Sequence, residues 1–381
     1  MTVFTNARIV LSTETVEGHL AIENGTIAGI DTGPAPAGVA AQDMDGDTLI
    51  PGLVELHTDH LESHVAPRPG VKWNMTAAIQ AHDAQIAASG ITTVLDALRV
   101  GFDVDSTITS ADSREMAGAI LAAQAAGRLR ADHRFHLRCE VSEESVLTGY
   151  ALFDDCDNIV MASLMDHTPG QRQFASLAAY RVYYQGKSGM SDDEFERFQD
   201  ERIQRANRFS DKNRRILSQN AKARGIILAS HDDATRAHVD EAVRDGVSLA
   251  EFPTTIEAAS ASSDAGLAIL MGGPNLVRGG SHSGNVSAGA LADAGYLDIL
   301  SSDYVPFSLL QSAFVLGRRE GWDLPRAIAT VSAKPAKAVG LTDRGEIAEG
   351  LRADLVRVAS PGGSGDVPVV RAVWREGERV A

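Results

Sequence analysis

Two patterns of apolar spacing divide the chain. Over residues 1–50, short apolar stretches are broken by turn residues: Asn6–Val10, His19–Ile22 and Ile27–Ile30 read as strands. Asn24-Gly25 marks a tight hairpin between the last two. After Pro51-Gly52, continuous apolar runs alternate with longer stretches of helical spacing. The runs cover 53–59, 91–97, 134–140, 158–166, 225–230, 247–252, 268–272 and 297–302. Runs that are apolar throughout, rather than at every second position, predict strands covered on both faces, as in a parallel sheet with crossover helices. Eight such units predict an α/β fold, a (β/α)8 TIM-type barrel over 51–340. A doubly wound open sheet is the structural alternative, but no Gly-rich phosphate loop follows the first run.

The remaining patterns refine this outline. An insertion at about 168–224 separates the fourth and fifth runs, and within it Ser191 and Glu194 form a capping-box signature ahead of a charged amphipathic helix. Insertions on the catalytic side of a barrel often serve as lids or substrate-binding elements. Residues 332–340 predict a final helix, after which strand patterns return at 353–358 and 369–374. Each tail alone is too small to bury a core. Segments 1–50 and 341–381 are therefore expected to pair into one composite small β domain, a β-sandwich built from both termini.

Charge narrows the choice of partners. Lys and Arg number 35 against 51 Asp and Glu, a net charge of −16, which excludes a phosphate-backbone binder. The two cysteines, Cys139 and Cys156, give no disulfide framework. No charged-then-apolar leader and no membrane-length apolar run is visible. The expectation is a cytoplasmic homo-oligomer with a small-molecule substrate and neither membrane nor nucleic-acid partners.

In a barrel, side chains at the C-terminal strand ends line the active site. The first run ends Leu56-His57-Thr58-Asp59-His60, and alternation puts His57 and Asp59 on one face, with His60 and His64 off it. The third run supplies Glu140, with His136 and Arg138 on the same face; the fourth supplies His167, the fifth His231 and the eighth Asp303. A lone histidine or aspartate at a strand end is more often structural, but five strands ending this way point to a metal centre. Imidazole and carboxylate ligands suit one or two divalent ions, Zn, Fe or Mn. His57, Asp59, Glu140, His167 and His231 are the expected ligands, Glu140 the candidate bridge, and Asp303 the group that takes a proton from the attacking water. Asp232 and Asp233 read as helix caps and Glu251 as structural.

Basic and Gly-rich residues gather near the same ends. Arg68, Lys72, Arg99, Arg172, Lys187, Arg278, Ser281, His282 and Asn285 are the candidates for binding a polyanionic substrate, because Arg, Ser, Asn and exposed backbone N–H groups suit phosphate oxygens. The residues alone leave other readings open: a hydrolase of cyclic amides or amines, or a catalytically dead barrel serving as an assembly subunit.

Several longer motifs carry a resemblance. Pro51–His57 and Gly345–Val356 resemble the entry and exit of the barrel in the amidohydrolase superfamily. More narrowly, His57–Glu62, Arg68–Trp73, Gly90–Leu98, Met165–Phe174, Ala229–Thr235, Ala250–Thr255 and Gly279–Asn285 resemble the diphosphatase family of the carbon–phosphorus lyase pathway for phosphonate use. That resemblance implies hydrolysis of α-D-ribose 1-methylphosphonate 5-triphosphate to the 5-phosphate and diphosphate. The chain departs from the superfamily's usual His-x-His at His57-x-Asp59, and no lysine occupies the position of its common carboxylated bridge.

Overall fold

The structure is a computed structural model and describes residues 1–102, 108–172, 181, 185, 190–281, 284–359 and 367–381. The N-terminal segment folds as β1 (Thr2–Val10), β2 (Thr15–Glu23), β3 (Thr26–Thr32), β4 (Gln42–Asp43) and β5 (Thr48–Pro51). The hairpin between β2 and β3 turns at Asn24 and Gly25, both with positive φ, as a tight Asn-Gly turn requires.

Eight parallel strands follow: β6 (Leu53–Thr58), β7 (Ile91–Val100), β8 (Asp132–Glu140), β9 (Ile159–Met165), β10 (Ile227–His231), β11 (Leu249–Glu251), β12 (Ala268–Gly272) and β13 (Ile299–Ser301). They pair in sequence order. The two outermost strands meet through a parallel bridge between Thr58 and Asp303, with the Asp303 N–H donating to the His57 carbonyl at 3.1 Å. All eight predicted runs coincide with these strands, with ends moved by up to three residues. The seam is tied by a buried carboxylate. Glu55 accepts from the His57 N–H at 2.7 Å and the Ser302 N–H at 2.6 Å, and the Ser301 hydroxyl lies 2.6 Å away. Burial nevertheless pushes the Glu55 pKa up.

The chain's end adds β14 (Leu355–Ala359), β15 (Val369–Arg375) and β16 (Glu378–Arg379). They join the first five strands in a single sheet ordered β16-β15-β14-β5-β1-β2-β3, with β4 on β1. Both termini thus build one sheet, since β5 pairs with both β1 and β14. Phe4, Leu49, Leu355 and Trp374 share its core, with the Phe4 and Trp374 rings 4.7 Å apart.

In the insertion, helix Asp192–Ala223 starts with the predicted capping box, Ser191 and Glu194 satisfying each other's backbone N–H groups. Arg205 on this helix pairs with Glu143, at 2.7 Å, just past β8, which docks the helix on that end of the barrel. Among the described residues, no helix is long and apolar enough to cross a membrane.

Candidate active site

Three strand ends turn in the same unusual way. Asp232, Phe252 and Asp303, just past β10, β11 and β13, hold φ near +55° (56°, 54° and 55°), a conformation uncommon for residues with a side chain. Such backbone outliers gather where the surrounding fold over-determines a site. Here they border a cavity of about 250 Å³ whose wall includes His57, Arg138, His167, His231, Asp232, Phe252, Asn275, Arg278, Ser281, Asn285 and Asp303.

The imidazoles are held from behind by carboxylates. Glu251, fully buried at the end of β11, faces His57 Nδ1 at 3.0 Å and His231 Nδ1 at 3.2 Å, and accepts from the Ser163 hydroxyl at 2.6 Å. Burial opposes its ionisation, but His57 and His136 outweigh this and hold its pKa well below the usual carboxylate range. Glu140 does the same for His167, with Oε2 2.5 Å from Nδ1. An imidazole that donates Nδ1–H to a carboxylate keeps a lone pair on Nε2, the arrangement that outer carboxylates impose on metal-binding histidines. The His57 and His231 rings stack at 5.7 Å, and His167 stands edge-on to His231 at 5.7 Å. Ligand atoms of His167, His231 and Asp232 lie within 4.8 Å of one another. Asp232 Oδ2 is buried and accepts no hydrogen bond. Three imidazoles and a carboxylate oxygen that accepts no hydrogen bond and faces His231 Nε2 at 3.4 Å fit a divalent cation of the type the sequence implied.

Asp303 lines the same cavity. Burial and the nearby negative charge of Asp59 push its pKa up to about 6, against the opposing effects of His57 and Arg138. Its Thr58-bound carbonyl (2.7 Å) and His57-bound N–H fix the backbone that presents it.

The expected residues separate into three groups. His57, His167, His231, Asp303, Arg278, Ser281 and Asn285 come together around the cavity. Asp59 and Glu140 do not line it. Asp59 lies one residue beyond β6, where alternation no longer governs direction, and its carboxylate pairs with Arg138 Nη1 at 2.8 Å. Burial resists that ionisation, but the Arg138 charge prevails and the Asp59 pKa is lowered. Arg68, Lys72, Arg99 and Arg172 are also off the cavity wall. Arg68 sits in the turn bridged to Val71, Lys72 pairs with Asp112, and Arg99 pairs with Glu62 at 2.6 Å. Arg172 is buried against Asp233 and Glu241. Lys187 and His282 lie outside the described residues. The structure adds Asp232, Glu251, Arg138 and Asn275. In sequence, Asp232 is set aside because Asp233-Ala234-Thr235 resembles a helix cap, and Glu251 reads as structural beside Pro253 and Thr254-Thr255. Thr235 and Thr255 are indeed the caps, which leaves both carboxylates to the site. Arg138 was legible from its shared face with Glu140.

Comparison with known proteins places this geometry in a lineage. The chain is 45% identical over 380 residues, 99% of its own length and 100% of the relative's, to alpha-D-ribose 1-methylphosphonate 5-triphosphate diphosphatase of Escherichia coli (strain K12). Residues 255–381 match the model of the amidohydrolase family. The chain belongs to the amidohydrolase family. Solved structures share the fold at low identity. N-isopropylammelide isopropylaminohydrolase from Burkholderia multivorans superposes with a TM-score of 0.64 at 17% identity, covering 100% of this chain and 98% of that one. N-acetyl-D-glucosamine-6-phosphate deacetylase from Mycobacterium smegmatis does so with a TM-score of 0.63 at 16% identity, covering 100% of both. The amidohydrolase barrel is thus the frame in which His57 and its neighbours sit.

Proposed function

We propose that this amidohydrolase cleaves α-D-ribose 1-methylphosphonate 5-triphosphate into the 5-phosphate and diphosphate, as a soluble enzyme of phosphonate catabolism in the cytoplasm. The observation that carries the reading is 45% identity along the full length of a relative named for that activity. The cavity supports it: basic Arg278 and Arg138 share a wall with the imidazole–carboxylate set. Arg278 makes no ion pair among the described residues, so its charge remains for substrate oxygens.

His57, His167, His231 and Asp232 would hold one or two divalent ions, Zn, Fe or Mn, with Glu251 and Glu140 orienting the imidazoles. When bound, a divalent cation supplies Lewis-acid polarisation of a phosphoryl oxygen and a lowered pKa for water. Asp303 orients the attacking water and accepts its proton as the α-phosphorus is attacked in line. Arg278, Ser281, Asn275 and Asn285 hold the polyphosphate oxygens, and charge developing on the departing diphosphate is met by Arg278. Arg138 keeps Asp59 occupied and adds positive charge beside Asp303.

The barrel is assigned to 51–340, with the insertion at about 168–224, and 1–50 with 341–381 form the composite β domain, in a chain that works as a homo-oligomer. The test of the chemistry is Asp303→Asn. It is expected to retain wild-type metal content while losing about 10²- to 10⁴-fold in diphosphate release from the ribosyl triphosphate. Wild-type turnover in that variant would remove Asp303 from the proton-accepting role.

A further inference from the structure

A second group of histidines lies on the other side of the barrel wall. His60 follows β6, His64 is in the short helix Leu61–Val65, and His82 is in the crossover helix Met75–Ala88. Their ring centres are 5.0 Å (His60–His64), 6.0 Å (His60–His82) and 5.9 Å (His64–His82) apart. Three imidazoles bound to one ion through metal–nitrogen bonds of about 2 Å have ring centres roughly 5 to 6 Å apart.

The hydrogen bonds fix which nitrogens are left over. His82 is fully buried, and its Nε2 faces Asp96 Oδ1 at 2.7 Å. Asp96 is held anionic by His133, whose Nδ1 faces its other oxygen at 2.7 Å. His82 therefore donates Nε2–H, and the lone pair is on Nδ1, a buried atom with no hydrogen-bond partner. His64 Nε2 is likewise buried and unpartnered. His60 Nδ1 faces the Tyr304 carbonyl at 3.2 Å, an acceptor only, which puts its proton there; Nε2, 2.9 Å from the end of the Gln85 side chain, keeps the lone pair with the Gln85 amide NH₂ turned toward it. Burial keeps His64 and His82 below their ordinary pKa, and so neutral. A carboxylate behind one imidazole, here Asp96 behind His82, repeats the device that Glu251 and Glu140 provide at the cavity.

An entry route exists. A separate opening of about 270 Å³ reaches His60 and is lined also by Asp59, Glu62 and Tyr304. In a chain of net charge −16 the overall field favours cations, while Asp59 and Glu62 at this opening are paired with Arg138 and Arg99.

We propose that His60, His64 and His82 form a second site for an imidazole-preferring divalent transition metal ion, distinct from the centre at the cavity, with Gln85 as the side chain the ion displaces from His60. This site stands whether or not the proposed diphosphatase activity does.

The test is Co²⁺ titration of metal-stripped full-length protein, read by metal content after dialysis and by the visible spectrum. Wild type is expected to bind one equivalent more than His64→Ala and His64→Gln. His167→Ala, altered at the cavity, is expected to keep the Co²⁺ that His64→Ala loses. Equal stoichiometry in wild type and both folded His64 variants would overturn the proposal. A reading that needs no substitution comes from the His82 imidazole protons of wild type: paramagnetic shifts at saturating Co²⁺ are expected, and unshifted resonances would overturn it as well.

Discussion

At the mouth of the barrel, Glu251 sits behind His57 and His231; behind the barrel wall, Asp96 sits between His82 and His133. Both are buried carboxylates shared by two imidazoles, but they serve different ends. The Glu251 imidazoles keep Nε2 toward a cavity. His133 spends both nitrogens on carboxylates, Asp96 at 2.7 Å and Asp83 at 3.3 Å. Burial would lower the pKa of His133, but those two charges outweigh it and push it up to about 9. His136, three positions along the same strand and on the opposite face, has no such excess of charge, and burial drives it down to about 3. One residue type thus yields a structural cation and a neutral hydrogen-bonding ring, according to the face of β8 it occupies.

The comparison breaks most sharply on the carboxylates. Glu251→Gln puts an amide NH₂ against an imidazole N–H and should cost about 10- to 100-fold in diphosphate release or metal affinity, with a small change in stability. Asp96→Asn should do the reverse, costing about 3 to 5 kcal/mol of stability by leaving charged His133 with half its partners, while kcat changes little. Urea midpoints and single-condition kcat on both variants are sufficient. A stability loss for Glu251→Gln as large as for Asp96→Asn would erase the distinction.

A smaller effect appears with pH. The folded pKa of His133, about 9, exceeds its unfolded value near 6.5. Its contribution to stability is therefore fully present below about 6.5 and is lost as pH rises through about 9. Wild type should lose stability between pH 7 and 9.5, and Asp96→Asn should lose less over that span because its His133 is less strongly raised. At the cavity the sign is opposite. Asp303 accepts a proton only when ionised, and a bound cation can only lower its pKa from about 6. The acid limb of kcat is expected at or below pH 6, and a limb clearly above 6 would contradict Asp303 as the acceptor.

Much of this was legible in the chain. Continuous apolar runs located all eight barrel strands, because strands covered on both faces leave no polar alternation to misread. His57, His167, His231 and Asp303 followed from the rule that strand ends line the site. The rule failed at Asp59 and at Glu140, which do not line the cavity. Asp59 is outside β6, and its direction is set by Arg138, 79 residues away in sequence, a contact no local period encodes. Asp232 was hidden by a cap signature that belongs to its neighbour Thr235, and Glu251 by the Pro253-Thr254-Thr255 stretch that follows it, in which Thr255 caps the next helix. Lys72, Arg99 and Arg172 lie off the cavity wall for a related reason: a basic residue near a strand end reveals its charge but not the carboxylate that has already claimed it.

That last point gives the finest contrast, between two arginines. Arg172 is 3% exposed and is bound by Asp233 and Glu241, while Arg278 ends its helix on the cavity wall with no ion pair among the described residues. Removing Arg172 leaves the buried Asp233 carboxylate without its cation, while Glu241, 31% exposed, keeps Arg214 at 3.6 Å, so Arg172→Ala should lower the urea midpoint and leave KM nearly unchanged. Removing Arg278 leaves nothing unpaired in the free protein but takes a charge-assisted hydrogen bond, about 1.5 to 3 kcal/mol, from a bound polyphosphate. Arg278→Ala should therefore raise KM for the ribosyl triphosphate about 10- to 100-fold with the midpoint unmoved. The diphosphate product should compete less well with substrate by a similar factor if Arg278 grips the leaving group. An inhibition constant for diphosphate unchanged in Arg278→Ala would move that contact to the retained α-phosphate instead.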